Sequence, residues 1–101
     1  MKKNPTGFTL SKTSCVEYLA DFRNDADFLN AHIVNDQPNQ IIFALSVLAR
    51  ARGMSVLSKK TGISRDGLYK ALSKSGNPSF ITVMRIMNGL ELRFTVRTNK
   101  S

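Results

Sequence analysis

The sequence is poor in the residues that build metal and covalent sites. It has a single cysteine, Cys15, and a single histidine, His32. One cysteine cannot close an internal disulfide, and one of each cannot supply the ligands of a zinc site. No metal and no cofactor are expected. Neither residue has a nucleophile–base arrangement in view, so both read as structural and no catalytic residue is assigned. No apolar run approaches the roughly 20 residues that span a bilayer, so no membrane partner is expected. No apolar stretch follows Met1-Lys2-Lys3, which reads against a secretory signal. A reducing cytoplasm is the expected setting. Acids are scarce in the second half: Asp66 and Glu91 are the two between residues 50 and 101.

Basic charge fills that half instead. The formal net charge is +8. Residues 1–49 carry four Lys/Arg against five acids, a net of −1, and residues 50–101 carry eleven against two, a net of +9. Segregation of this kind points to a polyanionic partner for the basic half. Mere solubility does not explain why the charge is divided. A length of 101 residues, 42% hydrophobic and 22% charged, fits one small globular domain.

The pattern along the chain is mostly helical. Residues 1–13, with Pro5 and Gly7, read as a mobile arm in which Phe8 and Leu10 allow a short strand. Residues 14–22 read as a short helix with Val16, Leu19 and Ala20 inside. Asn24 is the expected N-cap of a second helix running to about Asn35, with Asp25 and Asp27 near its positive end. Pro38 suits the start of the next helix. There Ile41, Ile42, Leu45, Leu48, Ala49 and Arg52 hold the 3.6-residue period, with Phe43 and Val47 widening the apolar surface. Ser79 is placed to cap a further helix bearing Phe80, Val83, Met84, Met87 and Leu90, its methionines read as core filler. The tail then changes period. Leu90, Leu92, Phe94 and Val96 alternate with polar residues, which predicts a short C-terminal β-strand. A lone strand needs a partner: residues 8–11, a second copy, or another protein. That need predicts a homodimer or partner contact through Leu92, Phe94 and Val96.

Residues 54–74 carry the functional expectation. Val56 and Leu57 are the apolar residues of one short helix. Ile63, Leu68, Ala71 and Leu72 are those of a second, and Gly62 turns between them. Ser58 is a small residue where the two would cross, and Ser64 is an N-cap. This is the spacing of a helix-turn-helix whose second helix, 64–74, shows a polar face. A solvated helical hairpin is the plainer alternative. The expected DNA-binding residues are Ser55, Ser64, Arg65, Asp66, Tyr69, Lys70, Ser73 and Lys74. Arg65 suits either bidentate contact to guanine or a phosphate. Tyr69 suits a thymine methyl, a phosphate, or packing on the loop at 75–78. Lys70 and Lys74 suit phosphates. Asp66 accepts from cytosine or favours the helix end. Ser55 and Ser64 place hydroxyls and backbone N–H groups near phosphate. Lys59 and Lys60 are divided between solvent and phosphate.

The runs Ala44-Leu45, Leu48-Ala49-Arg50-Ala51-Arg52-Gly53-Met54-Ser55, Leu57, Thr61-Gly62-Ile63-Ser64-Arg65-Asp66, Leu68-Tyr69-Lys70-Ala71-Leu72-Ser73 and Gly76-Asn77-Pro78 resemble the addiction module antidote proteins. These are helix-turn-helix antitoxins related to HigA-like antitoxins and to Cro/repressor-type regulators. The resemblance spans residues 15–96 and is densest from Leu48 to Pro78. Glu17-Tyr18-Leu19 and the Asp25–Val34 stretch fit more loosely. Ser58 stands where relatives often have alanine and Ser46 where many have glycine. The resemblance implies a mainly α, compact, lambda-repressor-like domain over residues 14–97, with a tail at 98–101. It also implies an antitoxin that blocks a RelE/ParE-like toxin, binds operator DNA and represses its own operon, usually as a dimer. A stand-alone phage-type repressor without a toxin is the alternative. A protein-only inhibitor and an enzyme are weaker ones. Asp21, Asp25 and Asp27 allow a paired-carboxylate site, but their place at helix ends makes capping the simpler account; the charge split separately suggests that the acidic half meets a basic toxin.

Overall fold

The structure is a computed structural model that describes residues 17–33 and 37–98. The arm at 1–13, the candidate strand at 8–11, Cys15 and the residues after 98 lie outside them. Residues 17–19 are helical and are followed by a 3-10 turn, Phe22–Asn24. Five α-helices follow: α1 (Asp25–Ala31), α2 (Pro38–Arg52), α3 (Met54–Thr61), α4 (Arg65–Ala71) and α5 (Phe80–Gly89). Among the described residues no single helix is long and apolar enough to cross a membrane.

The central helix is α2. Pro38 occupies its first turn, where a missing N–H costs nothing. Ala44, Leu45, Leu48 and Ala49 recur at helical period and are fully buried. Phe43 is the exception to its apolar pattern: it lies mostly exposed, with the His32 ring 5.8 Å away. The chain bends by 104° between α2 and α3, at Gly53. Leu57 of α3, Leu68 of α4, and Ile86 and Met87 of α5 complete the core.

Helix α5 crosses α3 closely because Gly89 has no side chain. A Cβ there would lie 2.7 Å from Thr61 Cγ2 and 2.8 Å from Leu57 Cδ1. The helix ends in paired backbone bonds from Glu91 N to Asn88 O (3.0 Å) and from Leu92 N to Met87 O (2.9 Å), with Glu91 left-handed at φ 62°. This termination satisfies the last carbonyls and aims the tail back over the core.

Four sequence expectations are corrected here. No strand forms among the described residues, so the C-terminal strand at Leu92, Phe94 and Val96 is absent. The alternation is nevertheless physical. Leu92 and Phe94 pack against the chain's own core, while Val96 is 93% exposed. An extended segment laid over a core alternates as a strand does, without a ladder. Second, Asn24 does not cap α1 with its side chain; its Nδ2 donates to the Tyr18 carbonyl at 2.7 Å. Third, Ala20 is exposed, while Leu19 is buried. Fourth, Asp25 is not a solvent-facing helix-end charge. It is 3% exposed and its Oδ2 lies 3.5 Å from Arg52 Nε.

Arg52 also donates through Nη2 to the Leu19 carbonyl, so one guanidinium joins the N-terminal segment, α1 and α2. Burial raises the Asp25 pKa above its ordinary value, and the pull of Arg52 only partly offsets this. Arg52→Met keeps the side-chain bulk but leaves a buried carboxylate alone. It should cost about 3 kcal/mol in urea unfolding at neutral pH. A raised folded-state pKa means that the penalty exists above that pKa and fades as pH falls through it. The loss in Arg52→Met should therefore shrink on acidification. A pH-independent loss would contradict this account.

Candidate nucleic-acid interface

Helix α4 has seven residues, too few to be stable alone, since isolated helices need roughly 12–15 residues. Its position is imposed from outside. Leu68 is fully buried beneath it and Leu72 is buried just beyond its end. Ser64 caps it, its Oγ accepting from Gly67 N–H at 2.9 Å.

The turn before α4 is fixed by side-chain hydroxyls. Gly62 is left-handed at φ 77°, and its N–H bonds Ser58 O at 2.9 Å. Ser58 Oγ donates to Ile63 O at 2.6 Å, across the turn. Thr61 Oγ1 donates to Leu57 O at 2.9 Å and accepts from Ile63 N–H at 3.1 Å. From α5, Arg85 Nη2 donates to Thr61 O at 2.7 Å. Carbonyls and N–H groups left over at the helix end are thus satisfied. Ser58 is more than a small residue at a crossing.

On this frame Arg65, Asp66, Tyr69 and Lys70 share the outer face of α4 and are exposed. Ser55 is exposed near the start of α3, and Ser64 is exposed at the α4 cap. Ser73 and Lys74 are not on the helix, which stops at Ala71 rather than running to residue 74. Ser73 is half-buried, its hydroxyl donating to Lys70 O at 3.0 Å, and Gly76 N bonds Ser73 O at 2.9 Å to close a turn. A Cβ at Gly76 would lie 2.5 Å from Lys70 O, so the loop folds back hard on the end of α4. Lys74 is exposed in that turn.

Sequence reasoning missed Arg50. It is not among the expected DNA-binding residues, yet its guanidinium lies over the Tyr69 ring, 5.5 Å from the centroid. That contact orients Tyr69 and adds a cation beside the α4 face. No local pattern could show it, because the two residues are joined only by the bend at Gly53. Lys60, in contrast, is drawn away to Glu91 Oε2 at 2.9 Å, and this holds the Glu91 carboxyl below the usual range.

Among the described residues Asp21, Asp25 and Asp27 form no three-carboxylate cluster, although the Asp21 charge adds to the rise of the Asp25 pKa. Asp21 accepts from Arg23 N–H at 2.9 Å and from its guanidinium, which lowers its pKa. Asp25 is buried against Arg52, and Asp27 is exposed. A shared carboxylate site is not formed. Reversing the charge of Asp25 would disturb the core before it touched any partner.

Removing the hydroxyl that crosses the turn isolates its contribution. Ser58→Ala should lower stability by about 1 kcal/mol in chemical denaturation, since the Ile63 carbonyl loses a part-buried donor. Unchanged stability would show that the bond is dispensable.

A family model described as "Probable addiction module antidote protein" matches residues 9–98. An uncharacterized protein of Haemophilus influenzae is 48% identical over 73 residues, which cover 72% of this chain and 75% of that protein. No solved structure matches. With every described residue inside the matched region, this protein belongs to the family of probable addiction module antidote proteins.

Proposed function

We propose that the chain is the antitoxin of a toxin–antitoxin pair and that it represses its own operon through a helix-turn-helix formed by α3 and α4. The observation that carries the DNA-binding part is the outer face of α4. Arg65, Tyr69 and Lys70 stand free of the core on a helix held by buried Leu68 and a hydroxyl-bonded turn. A net charge of +9 over residues 50–101 surrounds it. The antitoxin part is supported by the family, whose description implies a cognate toxin.

In this reading α4 enters the major groove. Arg65, at its N-terminal end, reads a base edge or holds a phosphate. Lys70 and Lys74 neutralise phosphates on either side. Ser64 already accepts from Gly67 N–H, which leaves its hydroxyl proton to donate to a phosphate oxygen. Ser55 offers a second hydroxyl from α3. Tyr69, steadied by Arg50, meets a thymine methyl or a phosphate. Asp66 accepts from cytosine or serves the helix end, and Ser73 serves the turn first. Two copies would read half-sites about 34 Å apart. The toxin would be RelE/ParE-like, and the proposed setting is the cytoplasm.

Arg65→Ala and Lys70→Ala should abolish a gel shift of the DNA upstream of the gene while leaving the circular dichroism unchanged. Each lost phosphate contact should flatten the salt dependence of binding by roughly one unit of log–log slope. Retention at wild-type strength would refute the interface. For the antitoxin role, the chain should co-purify with the product of its neighbouring small gene and relieve its toxicity. A neighbour that is harmless and does not bind would favour a stand-alone regulator.

A further inference from the structure

The tail leaves one edge of the molecule unfinished. Residues 92–97 follow α5 without forming a strand, and no backbone N–H or C=O of residues 93–97 is hydrogen-bonded among the described residues. Leu92 and Phe94 rest half-buried on the core. Between this segment and α1 lies a groove of about 710 Å³, with buried Leu29 and Met87 in its floor. That volume falls in the range of ligand sites, roughly 300–1,000 Å³.

Charge decides what the groove takes. Among the described residues Arg93 and Arg97 are its charged lining, and no carboxylate borders it. Both are exposed, and neither has an ion-pair partner among the described residues. Alternation along an extended chain sets them on the side opposite Leu92 and Phe94, and four positions apart they lie roughly 13 Å from each other. A nucleic-acid backbone would match the arginines but leave the apolar floor unfilled. A second copy of this chain across a two-fold axis would set arginine against arginine, with a net charge of +8 on each copy. An extended peptide meets all three features. Its backbone completes the open edge, alternate apolar side chains fill the floor, and the carboxylates between them meet Arg93 and Arg97. We propose that the groove between α1 and residues 92–97 receives an extended, acidic segment of a partner protein, laid alongside residues 93–97. In the antitoxin reading that protein is the toxin. Naming it rests on that reading; the chemistry of the segment does not.

A heptapeptide of alternating glutamate and valine, titrated into the isotope-labelled full chain, tests this, with a lysine–valine peptide beside it. The glutamate peptide saturates, with amide shifts on residues 29, 30 and 92–97, and the lysine peptide binds at least about tenfold more weakly. Arg93→Glu together with Arg97→Glu weakens the glutamate peptide by about tenfold or more. Arg23→Glu together with Lys59→Glu, the same change of net charge on exposed residues outside the groove, leaves it bound. Both double variants keep wild-type helical content, because all four side chains are exposed. Three results overturn the proposal. One is a set of shifts confined to α4, which would make the peptide a stand-in for a polyanion. Another is equal binding of the glutamate peptide to the wild-type chain and to the Arg93→Glu, Arg97→Glu chain. The third is slow hydrogen exchange at amides 93–97 of the free chain, which would mean that the edge is already taken. The product of the neighbouring gene then replaces the peptide. Its binding to the wild-type chain, lost in the Arg93→Glu, Arg97→Glu chain, gives the groove to the toxin. Undiminished binding to that variant overturns the toxin as the occupant while the antitoxin reading stands. A neighbour that binds neither chain counts against the antitoxin reading, and the peptide result still decides the groove.

Discussion

Five hydrogen bonds around the C-terminal end of α3 hold the rest of the molecule in register. Ser58, Thr61 and Arg85 satisfy the carbonyls of Ile63, Leu57 and Thr61, the Ile63 N–H bonds back to Thr61, and the Gly62 N–H bonds Ser58 O. A left-handed glycine lets the chain turn there without steric cost. Because α4 is too short to stand alone, its direction is set at this turn and by the Leu68 anchor. Arg85 links the same turn to α5, which reaches α3 only because Gly89 lacks a side chain. The outer face of α4 is therefore as rigid as the packing of three helices beneath it.

Electrostatics divides the molecule along the same line. Arg52 is consumed by Asp25 and the Leu19 carbonyl, Lys60 by Glu91, and Arg85 by Thr61. The cations left exposed near α4 include Arg65, Lys70, Lys74, and Arg50 over Tyr69, for which no carboxylate or carbonyl partner is found among the described residues. Exposed charges of one sign around one rigid helix produce a salt-sensitive attraction for a polyanion. The buried Asp25–Arg52 pair serves cohesion instead, and its Oδ1 finds no hydrogen-bond donor among the described residues.

Much of this was legible in the sequence where a local rule has a local cause. Helical period located α2, and glycine with a following serine located the turn at Gly62 and the cap at Ser64. The outward set Arg65, Asp66, Tyr69 and Lys70 followed from the helical wheel. What was not legible depends on contacts between distant segments. Period two at Leu92 and Phe94 looks the same in a strand and in an extended segment resting on a core, and only the missing partner separates them. Helical period also could not show that Phe80 and Met84 lie exposed while Met87, on the same stripe, is buried. Arg50 and Tyr69 are neighbours only through the bend at Gly53, and Asp25 is buried only because Arg52 reaches back to it. Ser73 left the face because Gly76 folds the loop onto the end of α4.

The antitoxin family implies a toxin to bind, and the proposed function adds DNA to read through the basic face of α4. The surfaces open to them differ, since the tail residues Leu92 and Phe94 border a groove with Ala26 of α1 and with Ile33 just beyond it, lined by no residue of α4. The central claim is that DNA meets α3 and α4. A titration of the isotope-labelled chain with its upstream duplex, followed by backbone amide chemical shifts, tests it most directly. The account predicts that the largest changes fall on residues 55, 64–70 and 74, and that they diminish with added salt. Changes confined to the groove between α1 and residues 92–97, with the amides of α4 unmoved, would contradict it.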